Sequence, residues 1–307
     1  MKIKVGVIYG GETVEHEVSI ISAIQAMNKM DQEKYDVIPI YITKDREWYT
    51  GEMLKDIEMY SDLNLIKKYG KNVVLYYSKG AYVLQNKKFP KNIITDIDIV
   101  FPVMHGTNGE DGVIQGYLQT IGIPFVGGDV YASVVGQDKV YMKNIFEDSK
   151  LPMTKYTWFY DCDYKENEED VLKQISKLKY PLIIKPATTG SSVGIKVAES
   201  EEELIEAIDN AIQYDHKILI EEVVQNLKEF NISVLGNYEH QKLSEIEEVI
   251  SGDKFLTYDE KYIGGSKGKI KGSFKAPIKT ASKGMASANR KLPADITKKM
   301  REEIEEI

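Results

Sequence analysis

A lysine that ends an apolar run and is followed at once by a loop of Thr, Gly and Ser is suited to holding phosphate, and PLIIKPATTGSSVG at 181–194 has this form. Leu182, Ile183 and Ile184 read as a buried strand, and Pro186 stops that strand from continuing in a paired ladder, so Lys185 is held near a strand end. Gly190 and Gly194 permit positive φ and close backbone approach, which lets the amides of 189–193 form a concave anion nest, with the Ser191 and Ser192 hydroxyls as further donors. The same residues also suit a strand, a polar hairpin and a solvated lysine. The Walker pattern GxxxxGK[ST] is absent from this segment, which excludes that mode of phosphate binding here.

Other candidate residues sit where a parallel sheet would place them. Residues 2–9, KIKVGVIY, read as a first strand, Gly10-Gly11 as its turn, and a helix is predicted to begin near Thr13 with Val14, Val18, Ile21 and Ile24 on one face. Residues 35–42 and 97–104 read as second and third parallel strands, with a charged, tyrosine-rich insertion between them. Ligands in such sheets lie beyond the carboxyl ends of the strands, so the Gly10-Gly11 turn and HGTNGEDG at 105–112 are predicted to meet over one crevice. After Gly127-Gly128 the composition changes. Helices are expected over 130–149 and 168–178 and from 199 onward, with strands at 181–185, 217–224 and 229–236 in antiparallel style.

The bulk numbers narrow the classes. With 307 residues, 42% hydrophobic and 29% charged, the chain is globular and large enough for two or three domains. Its net charge of -8 argues against broad nucleic-acid binding. No run reaches the 18 apolar residues of a membrane span, and MKIKVGVIYGG has too short an apolar part for a signal peptide, so a cytoplasmic location is expected. The single cysteine, Cys162, excludes an internal disulfide, and the four histidines show no metal-ligand spacing. His16-Glu17 lacks the second histidine of HExxH.

GGETVEHEVSIISA at 10–23, HGTNGEDGVIQG at 105–116, QDKVYMK at 137–143, the phosphate loop, LIEEVV at 219–224 and YDEKY at 258–262 together resemble the D-alanine:D-alanine ligase family of ATP-grasp enzymes. No single segment is decisive, but six in the same order along nearly the whole chain are. The resemblance implies an α/β protein: an N-terminal Rossmann-like parallel sheet over 1–128, a small α+β ATP-grasp lid over 129–220, and an incomplete C-terminal ATP-grasp domain over 221–307. It implies a carboxylate-amine ligase in which ATP phosphorylates one D-alanine and the amine of a second attacks the acyl phosphate, for peptidoglycan precursor synthesis. The partners implied are D-alanine and ATP, with Mg2+ as cofactor and a homodimer formed through the N-terminal half.

The resemblance also carries residue roles. Lys139 and Lys185 are similar to the lysines on the α and β phosphates, and Lys261 to the one that reaches the γ phosphate. Glu15, Ser191 and Tyr262 resemble the hydrogen-bonded set that closes the site, with Glu15 taking the first substrate's ammonium; His105 resembles the histidine beside the attacked carboxylate. Glu221, Glu222 and Val224 match the strand that contacts adenine, and Glu229 the carboxylate on the ribose hydroxyls. Taken alone, each has a plainer reading: Glu15 as a first-turn carboxylate offsetting a helix dipole, Lys139 and Lys261 as surface lysines, Glu221-Glu222 as an edge-strand pair. Thr189, Glu222 and Leu256 depart from residues frequent in the family.

No Arg-x-Asp strand followed by Glu-x-Asn, the family's magnesium-binding end, follows Tyr262. The expectation is a ligase front whose magnesium ligands lie beyond Ile307, with weak nucleotide binding and little or no turnover. A metal stabilises phosphoryl charge by several kcal/mol, and about 4 kcal/mol is a thousandfold in rate. Two alternatives are a non-catalytic nucleotide-binding ATP-grasp remnant and a ligase that takes D-lactate or D-serine as acceptor.

Overall fold

A computed structural model describes residues 1–250 and 290–307, which fall into two compact units, Met1–Met142 and Lys143–Ile307. The first is built on strands β1 (Ile3–Gly10), β2 (Tyr35–Ile42), β3 (Trp48–Thr50), β4 (Lys71–Ser78), β5 (Ala81–Asn86), β6 (Ile93–Ile97) and β7 (Ile99–Pro102). They form one sheet in the order β6-β5-β4-β3-β2-β1-β7. β1 pairs parallel with β2 and β7, and every other pairing is antiparallel. The tyrosine-rich insertion is thus four further strands of the sheet. The expected third strand at 97–104 divides: Ile97 ends antiparallel β6, and parallel pairing begins at Ile99.

From Val5 onward β1 carries no polar side chain but the Tyr9 hydroxyl, and both its faces are buried there. Val5, Val7 and Tyr9 pack against Ile20, Ala23, Ile24 and Met27 of α1 (His16–Lys29), while Ile8 joins the opposite core with Ile114 and Leu118 of α3 (Val113–Ile121). α1 starts three residues later than expected, and Val14 lies exposed before it. Its buried stripe is therefore 20, 23, 24, 27, the i, i+3, i+4, i+7 spacing of one helix face. A short helix α2 (Leu63–Tyr69) precedes β4. The single helix expected over 130–149 is two, α4 (Val130–Gln137) and α5 (Lys139–Asp148). Asp138 separates them, accepting from the Val140 amide at 2.9 Å and the Tyr141 amide at 3.2 Å as an N-cap does.

The second unit has a four-stranded antiparallel sheet in the order β10-β9-β11-β8, made of β8 (Tyr156–Tyr160), β9 (Leu182–Pro186), β10 (Lys196–Ala198) and β11 (Lys217–Glu222). Leu182, Ile184, Ile218 and Ile220 face a core shared with Val171 and Ile175 of α7 (Glu168–Ile175) and Leu204, Ala207 and Ile208 of α8 (Glu201–Ala211), next to the short α6 (Asp161–Glu166). The segment expected as one strand at 229–236 is two, β12 (Glu229–Asn231) and β13 (Val234–Gly236). β13 pairs with β14 (Gln241–Leu243), and β12 pairs with β15 (Glu247–Val249), which also pairs with β16 (Arg290–Lys291). The last described helix is α9 (Lys298–Glu306), capped by Thr297. Among the described residues no helix is long and apolar enough to cross a membrane.

Candidate functional site

In the first unit the loop after β1 and the loop after β7 meet, as the parallel sheet predicts. The Gly10 amide donates to Ser19 Oγ at 2.8 Å, and that hydroxyl donates to the Val103 carbonyl at 2.7 Å, joining the end of β1, helix α1 and the segment after β7 through one buried side chain. Gly10 and Gly11 have φ of 89° and 97°, and a Cβ on Gly10 would run into the Ile42 carbonyl.

Glu15, the N-cap residue of α1, is 3% exposed, and its carboxylate lies directly against Gly106. At Gly106 (φ 70°) a Cβ would displace Glu15 Oε2 and stand 2.7 Å from Thr13 Oγ1, so the left-handed backbone and the seat of the Glu15 carboxylate both favour glycine. His105 is next to it. Its Nε2 lies 3.0 Å from Ser22 Oγ of α1 and its Nδ1 3.7 Å from Glu110 Oε1. Glu110 also accepts from the Gly106 amide at 2.8 Å. Burial alone would raise the Glu110 carboxyl, but the His105 contact and the Gly106 amide outweigh it and hold the group below its ordinary value. Glu15 and His105, two of the candidates, are thus brought together on one glycine.

The second unit assembles a charged cluster on the sheet face turned away from α7 and α8. Alternation places Ile183, Lys185, Leu219 and Glu221 on that face. Glu221 is 6% exposed, with Lys185 Nζ 2.6 Å from one oxygen and Lys143 Nζ 2.5 Å from the other. The Thr154 hydroxyl donates to Glu221 Oε1 at 2.7 Å, and the Lys143 ammonium lies 4.8 Å from the Tyr156 ring centre. Burial pushes the Glu221 carboxyl up; the Lys185 charge and the hydrogen bonds from Lys143, Lys185 and Thr154 overcome this and leave it lowered.

Lys139 opens α5. Ser191 and Ser192 both adopt positive φ, 49° and 61°, in the loop between β9 and β10. The Val193 amide donates to the Gly190 carbonyl at 3.1 Å, so this amide is used inside the loop. Thr188 anchors the loop base, its amide 2.6 Å and its hydroxyl 2.9 Å from Asp215 Oδ2. Glu222 accepts from the Lys179 amide at 3.1 Å, and the Val224 side chain is exposed. Glu229 opens β12, and its Oε2 is buried with no hydrogen-bond partner among the described residues. Lys261 and Tyr262 lie outside the described residues.

Reading the sequence missed Lys143, Glu110, Ser22 and Ser19 as parts of these clusters. Lys143 stands one turn after Lys139 in the quoted QDKVYMK, and the i, i+4 spacing was the available signal. Glu110 was a carboxylate five residues from His105 inside a glycine-rich turn. Nothing in the spacing pointed to the two serines, whose partners are more than 80 residues away in the case of His105 and Val103.

Family models described as D-ala D-ala ligase N-terminus and D-ala D-ala ligase C-terminus match residues 4–128 and 145–292. The chain is 41% identical over 264 residues to the D-alanine–D-alanine ligase of Natranaerobius thermophilus, covering 85% of this chain and 70% of that protein. It is 38% identical over 309 residues to that of Geobacillus kaustophilus, covering 100% of this chain and 77% of the relative. Among solved structures, the VanG D-Ala:D-Ser ligase of Enterococcus faecalis superposes with a TM-score of 0.75 at 30% identity, over 100% of this chain and 80% of that one. The D-alanine-D-alanine ligase of Coxiella burnetii gives 0.71 at 27% identity, over 81% and 68%. With both family models matched in order, and with the ATP-grasp architecture of the solved relatives, the chain belongs to the D-alanine–D-alanine ligase family.

Proposed function

We propose that the two clusters serve the two halves of the family's reaction, the ATP-dependent ligation of two D-alanine molecules for peptidoglycan precursor synthesis. In the first unit Glu15 accepts the ammonium of the first D-alanine, and His105, held between Ser22 and Glu110, lies beside its carboxylate. The observation that carries this reading is the Glu15 carboxylate seated against Gly106, immediately after His105. A buried carboxylate next to an imidazole is a matched receiver for a zwitterion's two ends.

In the second unit Lys185 contributes positive charge to nucleotide phosphates, and family resemblance gives Lys139, at the start of α5, the same role. Glu229 Oε2, buried and without a hydrogen-bond partner among the described residues, fits a ribose hydroxyl, which would donate a hydrogen bond to it. Glu221, Glu222 and Val224 line the strand end assigned to adenine, and Ser191, with Tyr262 and Lys261, completes the set on the substrate and γ-phosphate side. Lys143 compensates the Glu221 carboxylate when Lys185 turns to phosphate. ATP, with the magnesium that family membership implies, supplies the phosphoryl group that activates the first carboxylate. Among the described residues no cluster of three His, Cys, Asp or Glu side chains is placed to hold a metal ion.

The test is phosphate release with ATP, magnesium and D-alanine, with the dipeptide identified by mass, and D-serine and D-lactate offered in competition. The expected product is D-alanyl-D-alanine. Preference for D-serine would move the chain toward the acceptor named for the Enterococcus faecalis relative, and nucleotide binding without any dipeptide would leave a binding protein on a ligase scaffold.

A further inference from the structure

His16 is 2% exposed and has no place in the roles assigned above, yet it makes two directed contacts at the base of the substrate loop. Its Nδ1 lies 2.6 Å from the Gly11 carbonyl, and its Nε2 lies 2.8 Å from the Tyr41 hydroxyl. A carbonyl only accepts, so the proton is on Nδ1. The Tyr41 ring is fully buried and packs edge-on to the imidazole at 5.6 Å, and its hydroxyl donates to the Nε2 lone pair. Behind Tyr41 stand Tyr60 at 5.2 Å and Tyr9 at 5.7 Å between ring centres, which fix the strut's far end. Burial lowers the imidazole's pKa against the pull of the Gly11 bond; Glu17 and Lys44, the charged groups that act on it, oppose each other. The ring is neutral, in one tautomer.

The position of this strut gives it a consequence. Gly11 is held on its amide side by the Ile42 carbonyl at 2.8 Å and on its carbonyl side by His16, so both ends of its peptide are tied. The chain then passes through Glu12, Thr13 and Val14 to Glu15, whose amide donates to Thr13 Oγ1 at 3.2 Å and whose carboxylate rests on Gly106. His16 follows Glu15 directly and its own amide donates to the Thr13 carbonyl at 3.3 Å, so its ring and backbone close the 11–16 turn from inside. We propose that His16, through its Nδ1–H bond to the Gly11 carbonyl, is a positioning residue that holds this turn and so sets the Glu15 carboxylate for the ammonium of the first D-alanine. The proposal rests on the reading of Glu15 given above.

The two ring nitrogens can be mimicked separately. Asparagine places an amide donor near Nδ1 and can keep the Gly11 bond; glutamine reaches toward Nε2 and can keep only the Tyr41 contact. Equilibrium binding of D-alanine and of ADP to the full chain is compared for the unsubstituted protein, His16→Asn, His16→Gln and Glu15→Gln. His16→Asn is expected to hold D-alanine within about threefold of the unsubstituted chain, and His16→Gln to weaken it about tenfold, the upper range for one hydrogen bond, with ADP affinity unchanged in both. Equal losses in the two variants, or parallel losses of D-alanine and ADP, make His16 a packing residue and overturn the proposal. Loss of D-alanine binding in Glu15→Gln with none in His16→Gln overturns it while leaving the Glu15 reading intact. Undiminished binding in Glu15→Gln, or no D-alanine binding by the unsubstituted chain, overturns both. Nitrogen NMR of the imidazoles in the unsubstituted chain decides independently of whether a variant folds. His16 should show a protonated Nδ1 and a bare Nε2 near neutral pH, where burial keeps the imidazole uncharged. The opposite tautomer, or a doubly protonated ring near pH 7, overturns the proposal.

Discussion

The two units bury polar groups in opposite ways. Around the first unit's loops after β1 and β7 the buried groups beside the Glu15 carboxylate are neutral and directional: the His16 imidazole, the Ser19 hydroxyl and the phenols of Tyr9, Tyr41 and Tyr60, each aimed at a named partner. On the second unit's sheet they are charges, one carboxylate between two ammoniums. Neutral hydrogen bonds fix geometry and cost about 1 to 3 kcal/mol when one partner is removed. A buried charge left without its partner costs about 3 to 5 kcal/mol. On the proposed function, the contrast suits a zwitterion oriented in one unit and a polyanion attracted in the other.

The sharpest way to break the comparison is Glu221→Gln, which leaves the ammoniums of Lys143 and Lys185 beside a neutral amide. The expected loss is about 3 kcal/mol or more in urea unfolding near pH 7, and Lys143→Met should cost less because Lys185 still pairs with the carboxylate. A loss below about 1 kcal/mol for Glu221→Gln would mean that water screens the cluster as it does a surface pair. The acid limb gives the sign. Because the folded Glu221 carboxyl is lowered, its contribution is in place above the ordinary glutamate value of about 4.3 and is lost as pH falls through the folded value. Glu221→Gln should flatten that part of the stability curve.

Next comes Gly106→Ala, set against Gly80→Ala. Both glycines have positive φ, 70° and 87°, so both substitutions carry the strain of a left-handed residue, about 1 kcal/mol. At Gly80 a Cβ meets nothing within 4 Å, whereas at Gly106 it displaces the Glu15 carboxylate. D-alanine-dependent turnover should fall about a hundredfold in Gly106→Ala, the scale of a 1 Å misplacement, and stay unchanged in Gly80→Ala. Similar activities in the two variants would detach Glu15 from the substrate.

How much of this was legible in the sequence follows from the range of the forces involved. β1, β2 and β11 were readable because a strand buried on both faces, or on one face beside a charged one, leaves a local apolar pattern. β3 and β4 were not: WYT and KNVVLYYS mix tyrosine with polar residues, and a tyrosine such as Tyr49 is buried only because distant neighbours cover it. The break at Asp138 was visible in principle as a capping residue before a helix. It was hidden by apolar residues on either side that kept helical spacing. For the site, family resemblance pointed to Glu15 and His105, and the parallel sheet explained why their loops meet. The His16 strut depends on Tyr41, 25 residues away, and the Lys143–Glu221 pair spans 78 residues. Neither leaves a short-range mark.

The smallest effect tests the neutral side of the comparison. Tyr60 has one hydroxyl proton and gives it to the Leu54 carbonyl at 2.8 Å, so Tyr9 donates to the Tyr60 oxygen at 2.5 Å. In Tyr60→Phe the Tyr9 hydroxyl can turn to the same carbonyl, which it already approaches at 3.2 Å, so no buried acceptor is left bare. The expected cost is therefore about 1 kcal/mol at pH 7, in the range of one net hydrogen bond. Burial raises all three phenols, Tyr60 the most, so their contribution is complete below the ordinary tyrosine value of about 10 and is lost as pH rises beyond it. Tyr60→Phe has one phenol fewer to ionise, and its stability should fall less steeply above pH 10 than that of the unsubstituted chain. Equal alkaline slopes would show that Tyr60 is already hydrated in the native state, and the neutral cluster would then lose its claim to be sealed from water.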